Sequence, residues 1–372
     1  MRQYKLEMIK DGSEKCYFIR NLDTYQIERL PSKYLMYKTN INRSPNTVRR
    51  SGFALVFYLE YVHEKQLELT DVYHLDYEEQ NKHFVNFLNW LKAGNHTNEQ
   101  MGKSPDNGTC NAYLKDVFRF YLFLEKLDEG YGSLKVLSYN QIVDVNTVGV
   151  KRVLRYQAFK GYLKQEDHRG IPAKQDEIVT LLQACTNCRD QLLLLLLAET
   201  GFRIGEILGV DYSRDIDYTN HLIKVSFRED NENNARAKNA EYRKAKISDD
   251  TFSFLMYYLS EYRALLQHQK YLFIVIEGKT KGQPLKVGSV YSMLKRMEKK
   301  THIKSTPHML RRYFANMRKE AGWRLEMISQ ALGHKHIETT VRYLNLIDDD
   351  LIAASNEFYE KHSSIYRIGE LL

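Results

Sequence analysis

Arginine and histidine, side chains able to hold a phosphate, recur in three short strings of the second half of this chain. In AETGFRIGEILGV, residues 198–210, Arg203 follows a Thr200-Gly201 helix stop and opens a new helix. Its guanidinium can project past the helix end while Ile204, Ile207 and Leu208 anchor the turn below. Glu206, one turn on, can hold the arginine or its backbone, and on its own the pair reads first as an ordinary surface salt bridge. In PHMLRRYFANMRKEAG, residues 307–322, His308 and Arg311 stand three apart and so share a helical face. Together they can contact one phosphate, the arginine through two oxygens and the histidine through a proton. A solvated basic face explains that string equally well. In ALGHKHIETTVRYLN, residues 331–345, His334 follows a Leu-Gly helix stop and Tyr343 comes nine residues later. A lone tyrosine among 27 is usually half-buried packing, but one at a set offset from Leu-Gly-His, downstream of His-x-Leu-Arg, stands out.

These strings need a scaffold, and 372 residues suffice for two domains with a small appendage. Apolar residues at 43% and aromatics at 12% support packed cores and exclude a disordered chain. The longest apolar run, 192–198, is far short of the roughly 20 residues of a membrane span. The first residues carry no secretory signal, so a cytoplasmic protein is expected. Of the four cysteines, Cys185 and Cys188 have zinc-knuckle or redox spacing, but no second Cys/His pair lies near them; incidental thiols are expected, and no metal. Net charge is +8, unevenly spread. Residues 1–50 carry 11 basic against 5 acidic side chains, and residues 279–319 carry 12 against one, Glu298. A charge run is commonly a solvated face; one that contains candidate chemistry gains weight as a phosphate-binding surface.

The patterning predicts a hairpin from strands 4–10 and 15–20 around Asp11-Gly12, then helices over 48–63, 77–91, 109–124 and 151–163. Ser44-Pro45 supplies a cap and a first-turn proline for the first of these helices. Gly170 and Pro172 interrupt the periodicity and mark a domain boundary at 166–173. Beyond it come helices over 176–185 and 189–200, a hairpin over 215–227, a strand over 243–248, and helices over 250–267, 287–301, 308–321, 325–331 and 337–345.

Arg in T-G-x-R-x-x-E, then Lys, then H-x-L-R, then L-G-H, then Tyr nine residues on: in that order the chain resembles the tyrosine recombinase family, the phage-type integrases such as lambda integrase and the Xer proteins. Each motif alone is weak; five in order over residues 172–346, about half the chain, make a specific match. The resemblance implies a mainly α fold with a small antiparallel β-sheet, arranged as a two-domain clamp. Its parts are a hairpin extension or arm (1–35), a helical core-binding DNA-binding domain (40–165), a linker (166–173), an α+β catalytic domain (174–347) and a trans-docking C-terminal tail (348–372).

It also implies a site-specific recombinase that cleaves and rejoins DNA through a 3′-phosphotyrosyl link, an integrase or excisionase of a mobile element. The alternatives are an Xer-like resolvase, a type IB topoisomerase-like enzyme and a non-catalytic DNA-binding relative. Arg203 and Arg311 would clamp the non-bridging oxygens with His308 and His334, Tyr343 would be the nucleophile, and Glu206 would support Arg203. Lys238, five residues before Arg243, matches the family's general-acid lysine, while the extra polar residues 229–234 leave Lys244 and Lys246 as competitors. DNA phosphate contacts would come from Arg43, Arg49, Arg50, Lys295, Arg296, Lys299, Lys300 and Arg312. The partners implied are double-stranded DNA and three further copies in a tetramer on two DNA sites, with room for an accessory DNA-bending protein; no membrane and no cofactor are required.

Overall fold

The computed structural model describes residues 2–11, 14–97, 105–127, 130–145, 151–164, 166, 170–226, 228 and 242–344. The chain divides into two compact units, 1–167 and 168–372. It is mainly helical, with small antiparallel sheets. Among the described residues no helix is long and apolar enough to cross a membrane.

The first unit contains β1 (Tyr4–Asp11), β2 (Glu14–Asn21), α1 (Arg29–Asn40), α2 (Pro45–Glu64), α3 (Tyr77–Lys92), α4 (Asn107–Leu124), β3 (Tyr139–Val145) and β4 (Lys151–Gln157). The β1–β2 hairpin pairs Leu6 with Ile19 and sends Tyr17 and Ile19 into the unit's core. It is packed structure, built into the helices beside it. Helix α2 starts where Ser44 Oγ accepts from Thr47 N, with Pro45 at its first position, and α3 starts at an Asp76–Glu79 capping box. On α4, Val117, Phe120, Tyr121 and Leu124 are buried against α2 and α3, so this face of the helix is core. Tyr58 Oη sits 2.9 Å from both His83 Nε2 and Tyr121 Oη, and burial pushes His83 down to about 4, leaving a neutral ring among tyrosines.

One expectation fails here. Residues 151–157 do not begin a helix; they form β4, antiparallel to β3, with Val143 opposite Val153 and Ile142 opposite Leu154. Residues 139–145 supply a β-branched partner strand, and cross-strand pairing outweighs the weak helical period of 151–163.

The second unit contains α5 (Gln175–Ala184), α6 (Cys188–Thr200), the single turn α7 (Ile204–Ile207), β5 (Ile216–Asp217), β6 (Leu222–Val225), β7 (Arg243–Lys246), α8 (Asp249–Glu261), α9 (Arg263–Leu266), α10 (Val287–Thr301), α11 (Pro307–Glu320), α12 (Leu325–Leu332) and α13 (Ile337–Leu344). The helix expected over 250–267 is interrupted at Tyr262, which leaves helical geometry between α8 and α9. Leucines on every side of α6 are buried, as a helix apolar all round requires, and α6 is the axis on which α8 and α11 pack. Strands β5, β6 and β7 form one antiparallel sheet. At the far end α11, α12 and α13 enclose Phe314, Ala315, Ile328, Leu332 and Leu344.

Candidate active site

The end of α6 builds the first half of the site. Thr200 Oγ1 caps back to Leu196 O at 2.6 Å and accepts from Phe202 N, while Gly201 takes a left-handed φ of 62°. Only glycine fits there: the φ is positive and a Cβ would fall 2.5 Å from the Phe314 ring. The chain therefore turns sharply and delivers Arg203 to the N-cap of α7. Glu206 Oε2 accepts from the Arg203 backbone N–H at 2.6 Å, and Oε1 accepts from Arg203 Nη1 at 2.9 Å. Arg203 Nη2 also donates to Gly333 O at 3.3 Å. Glu206 is buried and Arg203 half-buried, unlike the surface salt bridge that their spacing first suggests.

Helix α11 builds the second half. Arg311 is 1% exposed, the largest fully buried side chain described. Its Nη1 donates to Gly201 O and its Nη2 to Leu332 O, each at 2.6 Å, so one guanidinium joins the ends of α6 and α12. Nη2 also lies 3.1 Å from His334 Nε2. Arginine can only donate, so Nε2 is the acceptor, and Nδ1–H then donates to Thr340 Oγ1 at 2.9 Å. Burial, then the Arg311, Arg203 and Arg243 charges, pushes His334 down to about 3, consistent with a neutral ring. Thr340 is fully buried on α13, and Tyr343 stands one turn further along the same helix.

The structure thus brings Arg203, Glu206, Arg311 and His334 into one cluster. His308 is exposed in the first turn of α11, one turn before Arg311. For Tyr343 only the backbone is described, and Lys238 lies outside the described residues. Lys244 and Lys246 are both exposed on β7, alternating with Arg243 and Ala245. Arg243 and Thr340 are the members that sequence reasoning missed. Arg243 was legible only as the residue opening the strand after the lysine.

Of the expected DNA contacts, Lys295, Arg296, Lys299 and Lys300 form the exposed face of α10, opposite buried Val290, Met293, Leu294 and Met297. Lys300 Nζ reaches Ala184 O. Arg312, half-buried, packs against Gly170. In the first unit Arg43 and Arg49 are exposed, and Arg50 Nε binds the buried Asp116 carboxylate at 2.9 Å. Cys185 is pushed up to about 12 by burial and is no thiolate at neutral pH; among the described residues no group of His, Cys, Asp and Glu is placed to hold a metal.

The Phage integrase family model matches residues 173–349. Transposase A from transposon Tn554 of Staphylococcus aureus is 30% identical over 345 residues, covering 91% of this chain and 92% of the relative. This chain belongs to the phage integrase family of tyrosine recombinases. The tyrosine recombinase XerA of Saccharolobus solfataricus is 34% identical over 188 residues, which is 50% of this chain and 55% of that protein. Among solved structures, the Tn1549 transposon integrase in complex with transposon right end DNA matches with a TM-score of 0.61 at 17% identity, over 88% of this chain and 98% of that one. At that identity the match speaks for the fold, the two-domain tyrosine recombinase architecture.

Proposed function

We propose that this tyrosine recombinase is the site-specific recombinase of a mobile element, cutting and rejoining double-stranded DNA in the cytoplasm through a 3′-phosphotyrosyl intermediate. The observation that carries the reading is the pair Arg203 and Arg311, held by fixed acceptors beside the helix that bears Tyr343. The 30% identity to a transposase along nearly the whole chain favours a mobile element over a chromosomal resolvase.

A phosphodiester is anionic and unreactive, so the catalyst must neutralise charge and align a nucleophile. The two guanidiniums take the non-bridging oxygens. Tyr343 Oη gives up its proton to solvent as it attacks phosphorus, the bond to the 5′ oxygen breaks, and Lys238 supplies the proton to that leaving oxygen. His334 accepts from Arg311, so its first task is to orient that guanidinium; it can donate to a phosphate oxygen only once Nε2 carries a proton. Since the phosphotyrosine conserves the bond energy, rejoining needs no nucleotide. On a nicked substrate that releases its cleaved end, a covalent protein–DNA adduct should accumulate in EDTA without ATP. A strict Mg²⁺ requirement for adduct formation overturns the mechanism.

Lys238 is the general acid in this reading, because Lys244 and Lys246 share the exposed face of β7, where phosphate contacts suffice to explain them. Lys238→Ala should cut normal DNA about 10²- to 10⁴-fold more slowly. With sulfur in place of the 5′ oxygen it should act nearly as wild type, because a thiolate leaves without a proton. Rescue of Lys244→Ala or Lys246→Ala, and not of Lys238→Ala, transfers the role.

The active assembly is a tetramer on two DNA sites, with residues 348–372 docking on a neighbouring protomer. The sequence there opens with Asp348-Asp349-Asp350 and continues with Leu351, Ile352 and Phe358 at helical spacing. Ending the chain at Asn345 should impair pairing of two sites far more than binding of one. Tetramers of the shortened chain on two sites, seen by native gel shift, argue against docking.

A further inference from the structure

We propose that Arg243 is a positioning residue for the phosphate clamp: through Glu206 it fixes the Arg203 guanidinium where the scissile phosphate is held. The inference rests on the reading of Arg203 given above.

Glu206 is the joint. Its side chain is 1% exposed, and three donors share its two oxygens: the Arg203 backbone N–H, Arg203 Nη1 and Arg243 Nη2. A carboxylate buried against one guanidinium alone would still face a large desolvation cost. The second guanidinium offsets that cost. Burial acts to raise the Glu206 pKa, yet Arg243, the Arg203 amide and the Arg203 charge overcome it and hold the carboxyl below its usual range. Glu206 is therefore ionised and held by three donors.

Arg243 is itself locked. Its side chain is 8% exposed, and its guanidinium lies over the fully buried Phe202 ring, 4.9 Å from the centroid. Phe202 immediately precedes Arg203, so Arg243 grips the catalytic turn twice, by the ring before Arg203 and by the carboxylate after it. From the other side, Arg243 opens β7 and pairs with Val225 on β6. The three-stranded sheet is thereby tied to the α6–α7 turn through one side chain. Lys244 and Lys246, the next charged residues on the strand, point out of this network and are exposed. A role limited to fold stability needs neither the shared carboxylate nor the contact with the residue preceding Arg203.

The chemistry of the substrate separates these possibilities. In a methylphosphonate a methyl group replaces one non-bridging oxygen, so the reacting centre is neutral and asks less of an arginine clamp. In a 5′-bridging phosphorothiolate the leaving group needs no proton, so it relieves defects of the general acid. Arg243→Met keeps length and packing over Phe202 but removes the charge. Adduct formation by this variant, at saturating enzyme, should slow about 10²-fold on normal DNA, the scale of a misplaced catalytic group. The defect should shrink at least about tenfold on the methylphosphonate and persist on the phosphorothiolate.

An equal defect on all three substrates, rescue by sulfur instead, or no defect overturns the inference. Arg203→Ala run in parallel separates the two levels. If it shows the methylphosphonate pattern and Arg243→Met does not, the positioning role alone falls. If Arg203→Ala cleaves normal DNA at the wild-type rate, the reading of the site falls, and this inference with it. Should Arg243→Met fail to fold by circular dichroism, Arg243→Lys, which keeps the charge and loses the planar fork, carries the same comparison.

Discussion

Tyr343→Phe should abolish covalent capture of DNA while leaving single-site binding nearly unchanged. The substitution removes one hydroxyl from α13 and alters neither net charge nor side-chain volume much, so phosphate-driven affinity should survive. The buried Thr340 and Leu344 on the same helix keep it docked in either variant. Without the phenol oxygen no phosphotyrosyl bond can form, and cleavage should fall on the order of 10⁴-fold or more, as when other covalent nucleophiles are deleted. The check is a denaturing gel of the nicked substrate beside a native gel shift of the same mixture. Undiminished adduct from the Phe variant would place the nucleophile elsewhere.

Arg311→Ala should be the most damaging single change at a buried position, because it acts on chemistry and stability together. The side chain satisfies Gly201 O and Leu332 O, and its loss takes that partner from two buried carbonyls. Leaving such groups unpaired costs about 1–3 kcal/mol each. A clear drop in Tm should therefore accompany loss of cleavage.

His334 reports the same change independently. It titrates near 3 because burial, and next the Arg311 charge, disfavour its protonated form; removing Arg311 should move it up toward its ordinary 6.5. In the wild type the folded state refuses a proton that the unfolded chain takes up below about 6.5, so this group's contribution to stability is present above that pH and lost as pH falls toward 3. In Arg311→Ala that window should narrow from its acid end. An NMR titration of His334 that does not move, with cleavage intact, would remove Arg311 from the centre of the site.

The outline of this protein was legible in its residues because the relevant signals are local. Ser44-Pro45 starts α2, Thr200-Gly201 stops α6, and Leu332-Gly333 stops α12, each by backbone rules spanning a few residues. The strings around Arg203, His308, Arg311, His334 and Tyr343 are each 16 residues or shorter, so their order and spacing could carry the family resemblance. Three features needed the tertiary structure. Residues 151–157 became a strand because residues 139–145 were there to pair with them. Arg311 became an internal tie, not a solvated cation on a basic face, because folding brings it to the carbonyl of Gly201, 110 positions away. Arg243 joined the site because Glu206 and Phe202, on the α6–α7 turn, meet it there. A side chain's type and its helical face are set by nearby sequence; which acceptor it meets, and whether water remains between them, is decided only when distant segments pack.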